Sequence, residues 1–172
     1  TGVCSSAFGF IAVASGADST SVGRLDTASG LRSSAFGYNA SATNTDSTAV
    51  GQSSIASGVD STSVGRSTQA TASRSTSVGY SSCATGSYSQ AFGYLSKATT
   101  SEATAIGKGS LGSGARGQAV GHTAIASGAC SNAFGYCPQA TGEASTALGY
   151  FSCANCTSST AVGYYAKTYN DH

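Results

Sequence analysis

Ser47-Thr48-Ala49-Val50-Gly51 is the stretch that decides the fold, because its pattern returns every 14 residues along the chain. The core of the pattern is Ala or Ser, a bulky apolar residue and Gly. It begins at Ala7-Phe8-Gly9, ends at Ala161-Val162-Gly163 and contains no insertion. Twelve copies fill 168 of the 172 residues. We call each copy a coil and number its positions 1 to 14, with Thr1 at position 1. A strict period over the whole chain indicates a solenoid.

Small residues recur at every second position in two parts of each coil. Positions 5, 7 and 9 are small, as in Ser61-Thr62-Ser63-Val64-Gly65, and so are positions 12, 14 and the following position 2, as in Ala126-Ser127-Gly128. This alternation predicts two short strands of about five residues per coil, separated by turns. Stacked coils then form two parallel sheets with Ala, Ser and Gly between them. We therefore predict an all-β solenoid with a thin interior that holds no ligand.

Position 8 is bulky and apolar in every coil, and it alternates with the small positions, so its side chains face outward. A continuous apolar stripe does not remain exposed on a soluble monomer, and the repeats leave no residues over to cover it. We predict that position 8 forms the interface of a self-assembled oligomer. Its residues are Phe8, Val22, Phe36, Val50, Val64, Val78, Phe92, Ile106, Val120, Phe134, Leu148 and Val162.

The composition fits a chain that shares its apolar core with other copies. Val, Ile, Leu and Phe together number 24 of 172 residues, fewer than an ordinary single-core domain needs. The formal net charge of +1 argues against disorder and against nucleic-acid binding, which needs clustered cations. No apolar run is long enough to span a membrane, so direct insertion is not expected. The chain starts at Thr1 without a visible signal peptide, and we expect a processed fragment.

The repeats resemble the head repeats of YadA-like trimeric autotransporter adhesins. Ser47–Gly51 followed by Ala56-Ser57-Gly58 matches the family pattern, as does Ser145-Thr146-Ala147-Leu148-Gly149 after Ala140-Thr141-Gly142. The resemblance covers all twelve coils. It implies a left-handed parallel β-roll, and a homotrimer in which position 8 forms the core. Residues 1–168 are predicted to form a single repeat domain, and residues 169–172 a remnant that leads to a neck or stalk outside this sequence.

The resemblance also implies a function. The expected role is an extracellular adhesin head at a cell or virion surface, which attaches to a host surface protein or glycan through many equivalent contacts. A phage or viral fibre segment, either receptor-binding or purely structural, uses similar repeats and is an alternative. An ice-binding solenoid is a second alternative, because Thr recurs at position 6. That column is interrupted by Gln90, Gln118 and Asn132, and it shares its face with position 8.

No residue pattern indicates catalysis, a metal or a cofactor. His122 and His172 do not lie in register with a carboxylate or a thiol. The stretch Gly107-Lys108-Gly109-Ser110-Leu111-Gly112 resembles a dinucleotide fingerprint, but its outer glycines occupy ordinary repeat positions and no helix is expected after it. We therefore predict that the protein is not an enzyme and binds no cofactor.

Cysteines and sequon asparagines are the residues to consider for covalent modification. Cys153-Ala154-Asn155-Cys156 spells C-x-x-C, but residues three apart in a strand point to opposite faces, too far apart for a disulfide. We predict that most of the six cysteines are unpaired within a chain, with bridges between chains left open. Asn39 and Asn155 lie in N-glycosylation sequons, which matter only for a eukaryotic or eukaryotic-virus source.

Position 10 carries a column of aromatic and cationic residues. Rings stacked one coil apart, with Arg24 between Phe10 and Tyr38, predict cation–π contacts. The column either lines the rim of the subunit interface or forms a contact surface for carbohydrate or protein. Its candidate residues are Arg24, Tyr38, Arg66, Tyr80, Tyr94, Tyr136, Tyr150 and Tyr164.

Overall fold

The computed structural model describes residues 2–169 of the chain. The chain divides into two compact units, Thr1–Tyr88 and Ser89–His172. Both are built from the 14-residue coil, and residues 2–169 contain strands and turns but no helix. A helix that spans a membrane is accordingly not found in this part of the chain. The single repeat domain of residues 1–168 stays a prediction, and residues 170–172 of the expected remnant, with His172, lie outside the described residues.

Each coil contains one long strand, at positions 6 to 10 when complete, and each of the first eleven coils contains one short strand at positions 13 and 14. The long strands are β1 (Ser6–Phe8), β3 (Thr20–Arg24), β5 (Ser34–Tyr38), β7 (Thr48–Gln52), β9 (Thr62–Arg66), β11 (Thr76–Tyr80), β13 (Gln90–Tyr94), β15 (Thr104–Ile106), β17 (Gln118–His122), β19 (Asn132–Tyr136), β21 (Thr146–Tyr150) and β23 (Thr160–Val162). The short strands are β2 (Val13–Ala14), β4 (Thr27–Ala28), β6 (Ser41–Ala42), β8 (Ile55–Ala56), β10 (Gln69–Ala70), β12 (Cys83–Ala84), β14 (Lys97–Ala98), β16 (Leu111–Gly112), β18 (Ile125–Ala126), β20 (Gln139–Ala140) and β22 (Cys153–Ala154).

Within each unit, the long strands form one parallel sheet and the short strands form another, both in chain order. The register is one coil, so that Val64 pairs with Val78 in the first unit and Phe134 with Leu148 in the second. The all-β parallel solenoid with 14-residue spacing is therefore confirmed.

The second strand is two residues long, not about five as predicted from the alternation. The N–H groups of Ser15 and Gly16 both donate to the carbonyl of Ala28, at 2.9 and 3.3 Å. Because two successive donors share one acceptor, the chain bends at position 2 and the ladder ends there.

Left-handed residues at positions 4 and 11 turn the chain in every coil. Arg32 has φ 53° and Leu25 has φ 62°, backbone angles that residues other than Gly and Asn rarely adopt. Each N–H donates to the preceding coil, as from Arg32 to the carbonyl of Ala17 at 2.8 Å. The Ser33 hydroxyl closes the same turn by donating to the Gly30 carbonyl, also at 2.8 Å. The neighbouring coil thus holds a conformation that the local sequence does not favour.

The interior consists of small side chains at positions 5, 7, 12 and 14. Ala35 and Ala49 at position 7, and Ala42 and Ala56 at position 14, are completely buried. The glycines at position 9 were expected to face the same interior, but they are half-buried or exposed. Their φ angles lie between 118° and 144°, which turns the end of the long strand away from the interior.

Asp26 is a buried acid at position 12, where most coils have Ala or Ser. Its Oδ1 accepts a hydrogen bond from the Ala40 N–H at 2.7 Å. Its Oδ2 is buried without a hydrogen-bond partner among residues 2–169. A buried carboxylate with one unsatisfied oxygen costs stability.

We expect Asp26→Ser to raise the free energy of unfolding by about 1–2 kcal/mol, because the desolvation cost exceeds the benefit of one hydrogen bond. Urea denaturation of both proteins at the same fixed concentration measures this change in the free energy of unfolding. Ser54→Ala is the matched control, since Ser54 occupies position 12 with an unpartnered hydroxyl in the described chain and carries no charge. A loss of stability in the Asp26 variant would contradict this account.

Candidate functional site

The residues at position 8 lie on the outer face of the long strands. Side chains at position 7 of these strands are buried from the second coil onward, whereas Val50, Val64 and Val78 at position 8 are half-buried and Phe36 is 37% exposed. Each unit carries six of these residues in register along its sheet, and hydroxyl or amide side chains at position 6 flank them. We call this row the apolar ridge of each unit. A bare row of bulky apolar groups is suited to association with another surface.

Position 10 is the last residue of a complete long strand, two residues beyond the ridge position. The Arg24 guanidinium lies 5.7 Å from the ring of Phe10 and 5.5 Å from that of Tyr38, which confirms the predicted cation–π sandwich. Arg66 contacts the Tyr80 ring at 5.5 Å. The column therefore borders the ridge.

In the second unit the position 10 column contains one lysine, Lys108, followed by a stack of aromatic rings. The rings of His122, Tyr136, Tyr150 and Tyr164 follow one another at 4.8, 5.0 and 5.2 Å and are parallel within 11°. Tyr94, in an earlier coil of the same unit, contacts the Lys108 ammonium at 6.0 Å. Burial is the main cause that raises the pKa of the Tyr150 hydroxyl, and the neighbouring Tyr165 adds to it.

A second aromatic column, missed from the sequence, stands beside this stack at position 11. The rings of Phe151 and Tyr165 are parallel at 5.3 Å, and each meets the first column edge-on, Phe151 against Tyr150 at 4.8 Å and Tyr165 against Tyr164 at 4.6 Å. The sequence did contain a signal for this column, the adjacent aromatic pairs Tyr150-Phe151 and Tyr164-Tyr165. Alternation assigns neighbours to opposite faces, but the left-handed backbone at position 11 brings both rings together.

A groove adjoins this second column. It has a volume of about 180 Å³, and we call it the aromatic groove. The Ser152 hydroxyl is buried and finds no hydrogen-bond partner within residues 2–169. The residues that line the groove are Cys137, Gln139, Phe151, Ser152, Cys153, Tyr165 and Lys167.

The cysteines form no disulfide in the part of the chain that the structure describes. The Cys137 thiol is hydrogen-bonded to the Thr123 hydroxyl at 2.8 Å, and that hydroxyl lies 3.2 Å from Nδ1 of His122. Residues 2–169 contain no group of three or more side chains placed to hold a metal ion. The sequon residues Asn39 and Asn155 are both exposed.

Position 4 carries ion pairs between neighbouring coils. Arg32 donates two hydrogen bonds of 2.6 Å to the Asp46 carboxylate, and Arg74 approaches Asp60 at 3.5 Å. The bond to Arg32 lowers the pKa of Asp46 below its ordinary value, so any stabilisation is present at neutral pH and lost as the pH falls through the lowered value. These pairs are solvent-exposed and contribute little to stability.

A family model described as the YadA head domain repeat matches the chain in five segments. They are residues 1–24, 28–54, 56–82, 84–110 and 140–166, well over half of the sequence. No curated protein matches the chain significantly.

Proposed function

Given that the chain belongs to the YadA head domain repeat family, we propose that it is the head of an extracellular fibre that attaches to a host surface. Repeats of this family are surface-exposed parts of adhesins with a structural rather than an enzymatic role. A rigid β-solenoid that displays the same columns coil after coil suits that role. Many weak equivalent contacts then replace one deep pocket.

The apolar ridge is the observation that carries the assembly part of the proposal. Its residues are the bulkiest apolar side chains of the long strands, and they are partly exposed on the chain alone. Full burial of one such side chain is worth about 1.5–3 kcal/mol relative to full exposure, so six per unit supply a large driving force even at partial exposure. The family supplies the number three and the left-handed winding, and we propose a homotrimer with the ridges at its centre.

In this proposal, attachment uses the surfaces that remain exposed in the trimer. The outer face of the short strands and the turn columns at positions 3, 4 and 11 are repeated along each chain and carry mixed polar, charged and aromatic groups. We propose a host surface protein or glycan as the partner, reached from the cell or virion surface.

Light scattering combined with a binding assay tests the proposal. The expected results are a mass of three chains in solution and adhesion of protein-coated beads to cultured host cells, with albumin-coated beads as the control. A monomeric mass would overturn the trimer. Monomeric protein with strong thermal hysteresis would favour an ice-binding solenoid, and a trimer that does not adhere would favour a purely structural fibre.

A further inference from the structure

We propose that the aromatic groove of the second unit binds an acidic sugar, a single pyranose ring that carries a carboxylate. This inference deepens the proposed attachment function, on which its biological meaning rests. The groove lies between position 11 and position 13 of consecutive coils, with Ser152 of position 12 between them.

One wall of the groove is apolar. Phe151 and Tyr165 are 37% and 50% exposed, so their carbon surface is available to a ligand. Edge-on contacts with Tyr150 and Tyr164 fix the orientation of both rings. Because the aromatic wall is already ordered, it loses little conformational entropy when a ligand binds. Its apolar surface can pack against the C–H groups of a pyranose ring.

The other wall is polar. Gln139 and Cys153 pair in register on neighbouring coils, and Cys153 bridges to Lys167 in the next. The Gln139 amide offers donors and an acceptor, and the Lys167 ammonium offers donors. An apolar wall that faces a few polar groups is the usual make-up of a small-molecule site.

The charge and the volume of the groove limit the class of ligand that fits it. Lys167 is the only charged residue in the described lining of the groove, and it selects an anion. The volume of about 180 Å³ lies below that of a drug-sized pocket and suits one sugar ring. Positions 11 and 13 lie on the turn and the short strand, not beside position 8 on the long strand. The polar wall of the groove, at position 13 on the short strands, therefore lies away from the ridge.

Ligand-observed NMR titration of the full chain tests the site, with methyl glucuronide as the acidic probe and methyl glucoside as the neutral one. We expect the glucuronide to bind about tenfold more tightly, and Lys167→Gln to remove that preference, because a charge-assisted hydrogen bond is lost. Phe151→Ser is expected to abolish binding of both sugars. Ser53 and Ser67 occupy position 11 with the same left-handed backbone, so this variant keeps the fold.

Two matched variants control for changes elsewhere. Leu95→Ser alters position 11 and Lys97→Gln alters position 13 in a coil of the same unit outside the groove, and neither is expected to change binding. Equal affinity for both sugars, or equal losses in the control variants, would overturn the assignment. Cell adhesion without glucuronide binding would overturn only this inference, whereas glucuronide binding without adhesion would overturn only the proposed function.

Discussion

Val64→Asp is expected to abolish self-association, so that the mass in solution falls from three chains to one. Val64 is the fifth of the six residues of the apolar ridge of the first unit, in register with Val50 and Val78 on either side. A trimer would bring three carboxylates together in a desolvated core. Each unpaired buried charge costs several kcal/mol, more than the contacts of one coil return. Size-exclusion chromatography with light scattering measures the mass.

The control for this prediction is Gln69→Asp, which adds the same charge in the same unit on the exposed face of the short strand β10. It is expected to remain trimeric. Far-UV circular dichroism of the Val64 variant should still show β structure, because the strand ladders do not depend on the ridge. An unchanged mass for Val64→Asp would show that position 8 is not the interface.

Gly65→Ala is expected to lower the free energy of unfolding by about 3–5 kcal/mol. Gly65 has φ 129°, and a Cβ at this residue would overlap the carbonyl oxygen of Gly79 in the next coil. Both backbones are fixed by the ladder between β9 and β11, so neither moves aside cheaply. Urea denaturation at fixed protein concentration measures the loss.

Gly109→Asn is the matched comparison for a glycine with positive φ. Gly109 has φ 66°, and the nearest atom to a Cβ there is the Cγ2 of the Thr123 side chain at 3.2 Å. Asn39 stands at the same position of its coil with φ 55°. We expect a change of less than about 1 kcal/mol. If both variants lost a similar amount of unfolding free energy, the overlap with the Gly79 carbonyl would not be the reason that position 9 requires glycine.

The period and the alternation within Ser47–Gly51 were enough to predict the solenoid, its small interior and the outward ridge, because these depend on backbone geometry alone. The contact of Arg24 with Phe10 and Tyr38 was also predictable, since a register of 14 residues places equal positions side by side. Patterns that repeat in every coil are thus readable without a structure.

The short second strand could not be predicted, because the carbonyl that Ser15 and Gly16 share ends the ladder at position 2. The aromatic groove could not be predicted for another physical reason. Position 11 is left-handed, yet it holds Leu25, Phe151 and Tyr165, where Gly or Asn would mark such a backbone. A hydrogen bond to the preceding coil imposes this conformation. The Tyr165 N–H, for example, donates to the carbonyl of Tyr150 at 2.9 Å. A local reading of the chain therefore misdirects these side chains, and the groove at Ser152 stays hidden.

The interior of Ala and Ser also determines how the protein responds to temperature. The heat capacity change of unfolding follows the apolar area exposed, and these small side chains bury little of it. The stability of a single chain then varies only gently between cold and warm conditions. In the proposed trimer the ridges would bury the larger apolar area. We therefore expect the curvature of stability with temperature to come from the association of chains, which weakens on cooling.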